Sequence, residues 1–338
     1  MKRLITRGKW KRHLAERTRS QAQARARFAD YRRRRNAALA RPAHPKKFHK
    51  TSRIEAPREF SLIQNPNEMI RFFKEIEGLA ETRNVFVDMA GVSALTPDAI
   101  AGLLAAIHHG ARTSAHFSGN VPKDGRLSDI LNRSGFREYV TNREGAQFRS
   151  SFGKVRKHSG SRETMQTNFN QVVANDLVEF AVQAITGTPG PHGPSYSILG
   201  EAMLNTLNHA SRGKDPEPWW ASVFFDAERR RSCFTFIDQG VGIFKSHRLT
   251  LSLKLLEGLS ILDNAQILER LFHGDIPSTT KIPGRGNGIP FMYNHHKANR
   301  IKNFTVLANN AIGGAETESY RMLRESFNGT ILYWEIGE

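Results

Sequence analysis

S-Y-S-I-L-G-E-A-M-L-N-T-L-N-H-A-S, residues 195–211, is the stretch on which the reading of the C-terminal half turns. Glu201, Asn205 and His209 stand four apart. Four residues at ~100° each overshoot one helical turn by about 40°, so the three share one helix face. Ile198, Leu199, Ala202, Met203 and Leu207 supply the apolar side. A carboxylate one turn above a carboxamide suits metal-nucleotide chemistry. Glu can polarise a nucleophile, and Asn can offer an oxygen to Mg²⁺.

Two Gly-rich turns follow. F-I-D-Q-G-V-G-I, residues 236–243, puts Asp238 just past a strand end, where site residues of sheet proteins often sit. P-G-R-G-N-G-I, residues 283–289, opens a predicted helix over Ile289–Ala298. F-N-G-T, residues 327–330, precedes a last apolar run. Each piece alone occurs by chance in many loops, and it is their order and spacing that carry the signal. Together they resemble the GHKL superfamily of ATP-binding domains, the Bergerat fold, over roughly residues 166–338. Glu201-x-x-x-Asn205-x-x-x-His209 is similar to its N box, Asp238-x-Gly240-x-Gly242 to its G1 box, and Gly284-x-Gly286-x-Gly288 to its G2 box. Phe327–Thr330 is similar to its closing Gly-Thr motif.

The resemblance implies a role for each residue. Asp238 accepts a hydrogen bond from the adenine amino group, and Thr330 lies near the base. Gly240 and Gly242 let the backbone approach and bend under it. Asn205 holds Mg²⁺ against the phosphates. Glu201 activates water or a protein hydroxyl for attack on the γ-phosphate, a transfer that depends mainly on positioning and charge. Backbone N–H groups at Gly284, Gly286 and Gly288, with Thr280 and Lys281 just before them, meet the phosphates at the mouth of a helix. Phe244–Pro283, with predicted helices over Leu253–Ile261 and Ala265–Phe272, corresponds to the mobile ATP lid.

Upstream, residues 54–142 alternate strand and helix patterns. Glu59–Ile63, Asn84–Met89 and Thr113–Ser118 read as strands; Asn67–Gly78, Pro97–His109 and Arg126–Arg133 read as helices. Such alternation predicts a mixed sheet with helices packed on it. V-F-V-D-M-A-G-V-S-A-L-T-P-D-A-I-A-G-L-L-A-A-I, residues 85–107, resembles the centre of STAS domains, the anti-sigma-factor-antagonist modules. Some of these are phosphorylated on a Ser at the start of this helix. Pro97 and Asp98 stand there in this chain, with Ser93 and Thr96 just before, so the resemblance implies docking rather than phosphorylation.

The charge is concentrated in one segment. Residues 1–50 hold 18 of the 50 Lys and Arg against Glu16 and Asp30, so +16 of the net +18 lies there and the remainder is nearly neutral. No Gly or Pro falls between Lys9 and Arg41, and apolar residues are too sparse to build a core. Arg32, Arg33, Arg34 and Arg35 follow Phe28 and Tyr31. Arg forks suit phosphate oxygens and the rings suit base stacking, so the expectation is a nucleic-acid-binding arm. A solvated tail with no partner is the competing reading.

The expected fold class is therefore α/β, with α+β character: a Bergerat-type sandwich at 168–338, a STAS-like domain at 54–142, a polar linker at 143–167, and a basic arm and linker at 1–50. The lone Cys233 cannot form an internal disulfide, which predicts a reducing, cytoplasmic setting. No stretch of 18 apolar residues predicts a membrane span. The function expected is a Mg²⁺-dependent ATP-binding protein, acting as a regulatory ATPase or serine kinase with a protein partner on the STAS-like domain; a homodimer is left open. One alternative is a non-catalytic, ATP-gated nucleic-acid-binding module. A sensor histidine kinase needs a phosphoacceptor His in an H-E or H-D pair, which the chain lacks. A topoisomerase-like clamp needs a transducer domain after the ATP fold, whereas this sequence runs only to Glu338.

Overall fold

The computed structural model describes residues 50–110, 115–136, 153–158, 170–206, 219–244, 262–276 and 288–337. All of them belong to one compact unit, Phe48–Glu338. The basic arm lies outside the described residues.

The N-terminal lobe is built from strand–helix alternation. β1 (Thr51–Glu55), β3 (Asn84–Asp88) and β5 (Phe117–Gly119) form a parallel sheet in the order β1-β3-β5. Two further short strands, β2 (Glu59–Phe60) and β4 (Ala94–Leu95), pair in parallel beside it. Parallel neighbours need crossovers, which α1 (Pro66–Ala80) and α2 (Pro97–Gly110) help to provide, and α3 (Gly125–Arg133) follows β5. The strand expected over Glu59–Ile63 stops at Phe60. The reason is Asp98: its buried carboxylate accepts from the backbone N–H groups of Leu62 (2.7 Å) and Ile63 (3.3 Å), taking the donors that a longer strand would use. Burial raises the carboxyl pKa of Asp98 above its usual range despite those bonds.

The C-terminal part is a seven-stranded antiparallel sheet in the order β11-β10-β9-β12-β8-β7-β6. Its strands are β6 (Gly153–His158), β7 (Trp219–Asp226), β8 (Arg231–Asp238), β9 (Lys302–Ala308), β10 (Ala311–Gly314), β11 (Ser319–Met322) and β12 (Thr330–Gly337). β6 lies inside the segment expected to be a linker. Its sequence, G-K-V-R-K-H, has one apolar side chain, and it is held through backbone pairing with β7 at the sheet edge, where Lys and Arg are usual.

Side chains alternate across a strand, and here both faces are covered. Phe234, Phe236, Leu332 and Trp334 face α4 (Gln171–Thr186), α5 (Gly193–Asn205), α6 (Asn264–His273) and α7 (Ile289–Lys297) in one cluster. Pro194 falls in the first turn of α5, a position that costs no hydrogen bond. Trp220, Ile237, Leu307 and Ile331 point the other way and share a cluster with the core of the N-terminal lobe. Helix α2 is the element between them. It packs on α1 within its lobe and on β7 and β8 of the large sheet. That explains why Pro97–Gly110 is apolar on more than one side: Ala99, Ala101, Leu103, Ala105 and Ala106 are all buried.

The fold is thus mixed α/β with parallel and antiparallel sheets. Among the described residues no helix is long and apolar enough to cross a membrane. Trp220→Ala removes the largest side chain from the joint between lobe and sheet. It is expected to destabilise the chain by about 3–5 kcal/mol, read from denaturant unfolding as one transition shared by both parts.

Candidate functional site

Four residues form one row across the helix-covered face. Trp219 of β7 pairs with Asp238 of β8, Asp238 with Thr330 of β12, and Thr330 with Ala308 of β9. Asp238 alternates with Phe236 and Phe234, and Thr330 with Leu332 and Trp334, so both side chains point toward the α4–α7 layer. A carboxylate therefore stands where the rows below it are Phe, Leu and Trp.

That placement sets its chemistry. Removal from water is the largest influence and raises the Asp238 pKa to about 6. The Gly240 N–H donates to Oδ1 at 3.0 Å, and the hydroxyl and backbone of Thr330 add further hydrogen bonds, all of which act downward. Among the described residues no Lys, Arg or His shifts it. The carboxylate is thus ionised above about pH 6 and acceptor-only, on a residue that is half-buried overall.

The turn after Asp238 is braced by Asn309, which the sequence reading missed. Asn309 is buried at the β9–β10 turn with φ +47°, a left-handed conformation that Asn tolerates better than most residues. Its Nδ2 donates to the Val241 carbonyl at 3.0 Å, and its Oδ1 is buried without a partner. A Cβ on Gly242 would lie 2.4 Å from that oxygen, so glycine is required there on contact grounds as well as by its φ of +76°. The Asn309 backbone also takes the Phe327 N–H at 2.7 Å and donates to the Gly329 carbonyl at 3.3 Å. Gly329 (φ +131°) is the second required glycine, because a Cβ there would overlap the Asp238 carbonyl. The signal for Asn309 was an Asn-Asn pair ahead of the short strand Ala311–Gly314, a strand the sequence reading did not place.

The structure therefore brings Asp238, Gly240, Gly242 and Thr330 into one neighbourhood. Glu201 and Asn205 are partly exposed on α5. The buried side of that helix, Ile198, Leu199, Ala202 and Met203, lies in the same cluster as Trp219 and Phe236. The N-terminal end of α5 is pinned by Trp334, whose Nε1 donates to Ser195 Oγ at 3.0 Å. Gly288 (φ +65°) is the N-cap of α7, a helix that packs on α5 and α6. Thr280, Lys281, Gly284, Gly286 and His209 lie outside the described residues, as do Phe28, Tyr31 and Arg32–Arg35. No protein-family model matches this chain, and no curated protein matches it significantly. Among the described residues no group of three or more His, Cys, Asp and Glu is placed to hold a metal ion.

A cavity of about 890 Å³ opens on the opposite face of the sheet, beside the lobe. Thr96, Asp98, Arg126, Cys233, Tyr333 and Glu335 are among its walls, and none of the described residues of the four motifs lines it. Its buried Glu335 already accepts from Tyr333 Oη (2.6 Å), Asn303 Nδ2 (2.9 Å) and Arg231 Nη1 (3.0 Å), a satisfied structural network. Burial, the dominant cause, pushes the neighbouring Cys233 thiol up to about 12, so it stays protonated and inert.

Asp238 works against the ligand-free fold. Its folded pKa lies above the unfolded value, so protonation favours the folded state, and stability falls as pH rises from about 4 through about 6. Asp238→Asn is expected to raise the stability of the free protein at pH 8 by at most about 3 kcal/mol, with little gain at pH 3.5. Denaturant melts of both proteins at the two pH values check this.

Proposed function

We propose that the chain is a Mg²⁺-dependent ATP-binding protein of the GHKL type, a regulatory ATPase or protein serine kinase whose STAS-like lobe and Bergerat-type sheet share one core. The observation that carries the reading is the Asp238 row. Among the described residues no cation adjoins this carboxylate, which is held on an apolar face, beside an indole, against Thr330 and above a glycine turn. That arrangement is costly to the fold, and such costs concentrate at functional sites. An acceptor in a flat apolar setting suits the amino group of adenine, with ring surface against the apolar neighbours. The orphaned Oδ1 of Asn309 offers a further acceptor under the same turn.

ATP supplies a transferable γ-phosphoryl group when bound. Asn205, on the exposed side of α5, would give an oxygen to its Mg²⁺. Glu201, one turn earlier, would take the proton from water or from a protein hydroxyl as the oxygen attacks. Gly288, with Gly284, Gly286, Thr280 and Lys281 before it, would meet the phosphates at the start of α7. The choice between hydrolysis and transfer to a protein rests on what reaches Glu201.

Calorimetric titration with MgATP tests the adenine assignment. Asp238→Asn should abolish binding, because an amide donor then faces the amino group. In the parent protein, affinity should fall as pH drops through about 6 and Asp238 takes a proton. Unchanged affinity in either case sinks the assignment. Glu201→Ala should keep ATP bound and lose turnover by about 10²–10⁴-fold. Incubation with γ-labelled ATP, read as free phosphate and as labelled protein, separates the two enzyme classes.

The basic arm supports a second role, nucleic-acid binding. Its +16 stands on fifty residues while the rest of the chain is nearly neutral. Polycation binding releases counterions, so affinity should fall steeply between low and moderate salt. Phe28 and Tyr31 among the arginines favour single strands or RNA over duplex. Removing residues 1–50 should abolish this binding and spare ATP binding. Equal nucleic-acid affinity in full-length and shortened protein, or indifference to salt, would leave a solvated tail.

A further inference from the structure

Two segments build the surroundings of Asp238: the turn over residues 238–242 and the stretch over 323–329 that delivers Thr330. Both are held by the N-terminal lobe. Asn67, in the first turn of α1, accepts through Oδ1 from the backbone N–H groups of Arg324 (2.8 Å) and Glu325 (3.1 Å). One and two turns further along the same helix face, Arg71 Nε (3.4 Å) and Lys74 Nζ (2.9 Å) reach the Glu325 carboxylate. Phe327 packs against the lobe-side cluster. On the other segment, the Gln239 side chain donates to the Ala105 carbonyl of α2 at 3.4 Å.

The lobe therefore touches the middle of the Asp238 turn and the stretch five residues before Thr330, from two different helices. We infer that the lobe is a positioning element for adenine recognition, with Asn67 as its principal positioning residue and Lys74 and Gln239 in support, so that docking of the lobe sets how Thr330 meets Asp238. This rests on the nucleotide reading above. The stretch over 323–329 makes no strand pairing of its own. Besides the lobe, its backbone anchors among the described residues are Leu323 N–H to the Asn310 carbonyl and Phe327 N–H to the Asn309 carbonyl, both 2.7 Å, and the Gly329 carbonyl, which accepts from the Asn309 N–H at 3.3 Å. Releasing Arg324 and Glu325 returns two N–H groups and a carboxylate to water and frees the link next to Thr330. Segments with few packed contacts are the ones that open at low cost.

A control exists in the same interface. Arg126 of α3 pairs with Glu228 in the β7–β8 turn, a lobe contact that touches neither segment. The experiment is a binding titration of the full chain with MgATP and with Mg-inosine triphosphate, which lacks the 6-amino donor. Asn67→Ala should weaken ATP by about tenfold and leave the inosine nucleotide unchanged. Asn67→Asp keeps the acceptor and should restore ATP binding. Lys74→Ala should act in the same direction as Asn67→Ala, more weakly, and carries the test should Asn67→Ala fold poorly. Arg126→Ala should behave as the parent. Unchanged ATP affinity in both Asn67→Ala and Lys74→Ala overturns the inference. So does an equal loss for both nucleotides, or an Arg126→Ala variant as impaired as Asn67→Ala. A parent protein with no preference for ATP over the inosine nucleotide refutes the adenine assignment itself, before any lobe variant is compared.

Discussion

An antiparallel sheet that is apolar on both faces has to be covered twice, and this constraint organises the molecule. Phe234, Phe236 and Trp334 require the α4–α7 layer; Trp220, Ile237 and Ile331 require something on the other side. α2 meets that need while also serving as the central helix of its own lobe. A helix with two apolar partners cannot keep a polar face, which is why its sequence is so rich in Ala and Leu. Gly102 permits part of this closeness, since a Cβ there would stand 2.8 Å from Leu62 and Phe73.

Within that frame the polar groups separate into two kinds. Glu335 and Asp98 are buried acids whose hydrogen bonds are met by their own surroundings. Asp238 is different: among the described residues its donors come only from the adjacent turn and from Thr330, and the residue is half-buried rather than fully enclosed. The contrast is the physical basis for reading one as a binding group and the others as structure. It is set by register, because a one-residue slip of β8 would exchange Asp238 with Ile237 between faces.

Much of the fold was legible because the signals were strong. The helical spacing over Asn67–Gly78 and the apolar runs over Trp219–Phe225 and Ser232–Ile237 match, to within a few residues, the observed Pro66–Ala80, Trp219–Asp226 and Arg231–Asp238. β6 was not legible, since an edge strand draws on backbone pairing rather than on apolar side chains. The end of β2 at Phe60 depended on a carboxylate 38 positions away, a long-range competition that local patterns do not contain. In the site, Asp238, Gly242 and Thr330 were readable from short motifs, whereas Asn309 and Asn67 act only because the fold brings remote turns together. The covering of the second sheet face by α2 was equally out of reach, because its apolar excess reads the same for any buried helix.

Sharing one core has a consequence for the chain's dissection. A module that recombines freely between genes has to leave and arrive with its own surfaces finished. Here, excising the first lobe would strip the cover from an indole and several branched aliphatic side chains on the sheet, and the excised lobe would carry away a helix apolar on the side it had lost. Each half thus leaves the other's apolar surface uncovered when it is removed. Substitutions at Trp220, Ile237 or along α2 have to be accommodated jointly, as at a permanent subunit interface folded into a single polypeptide.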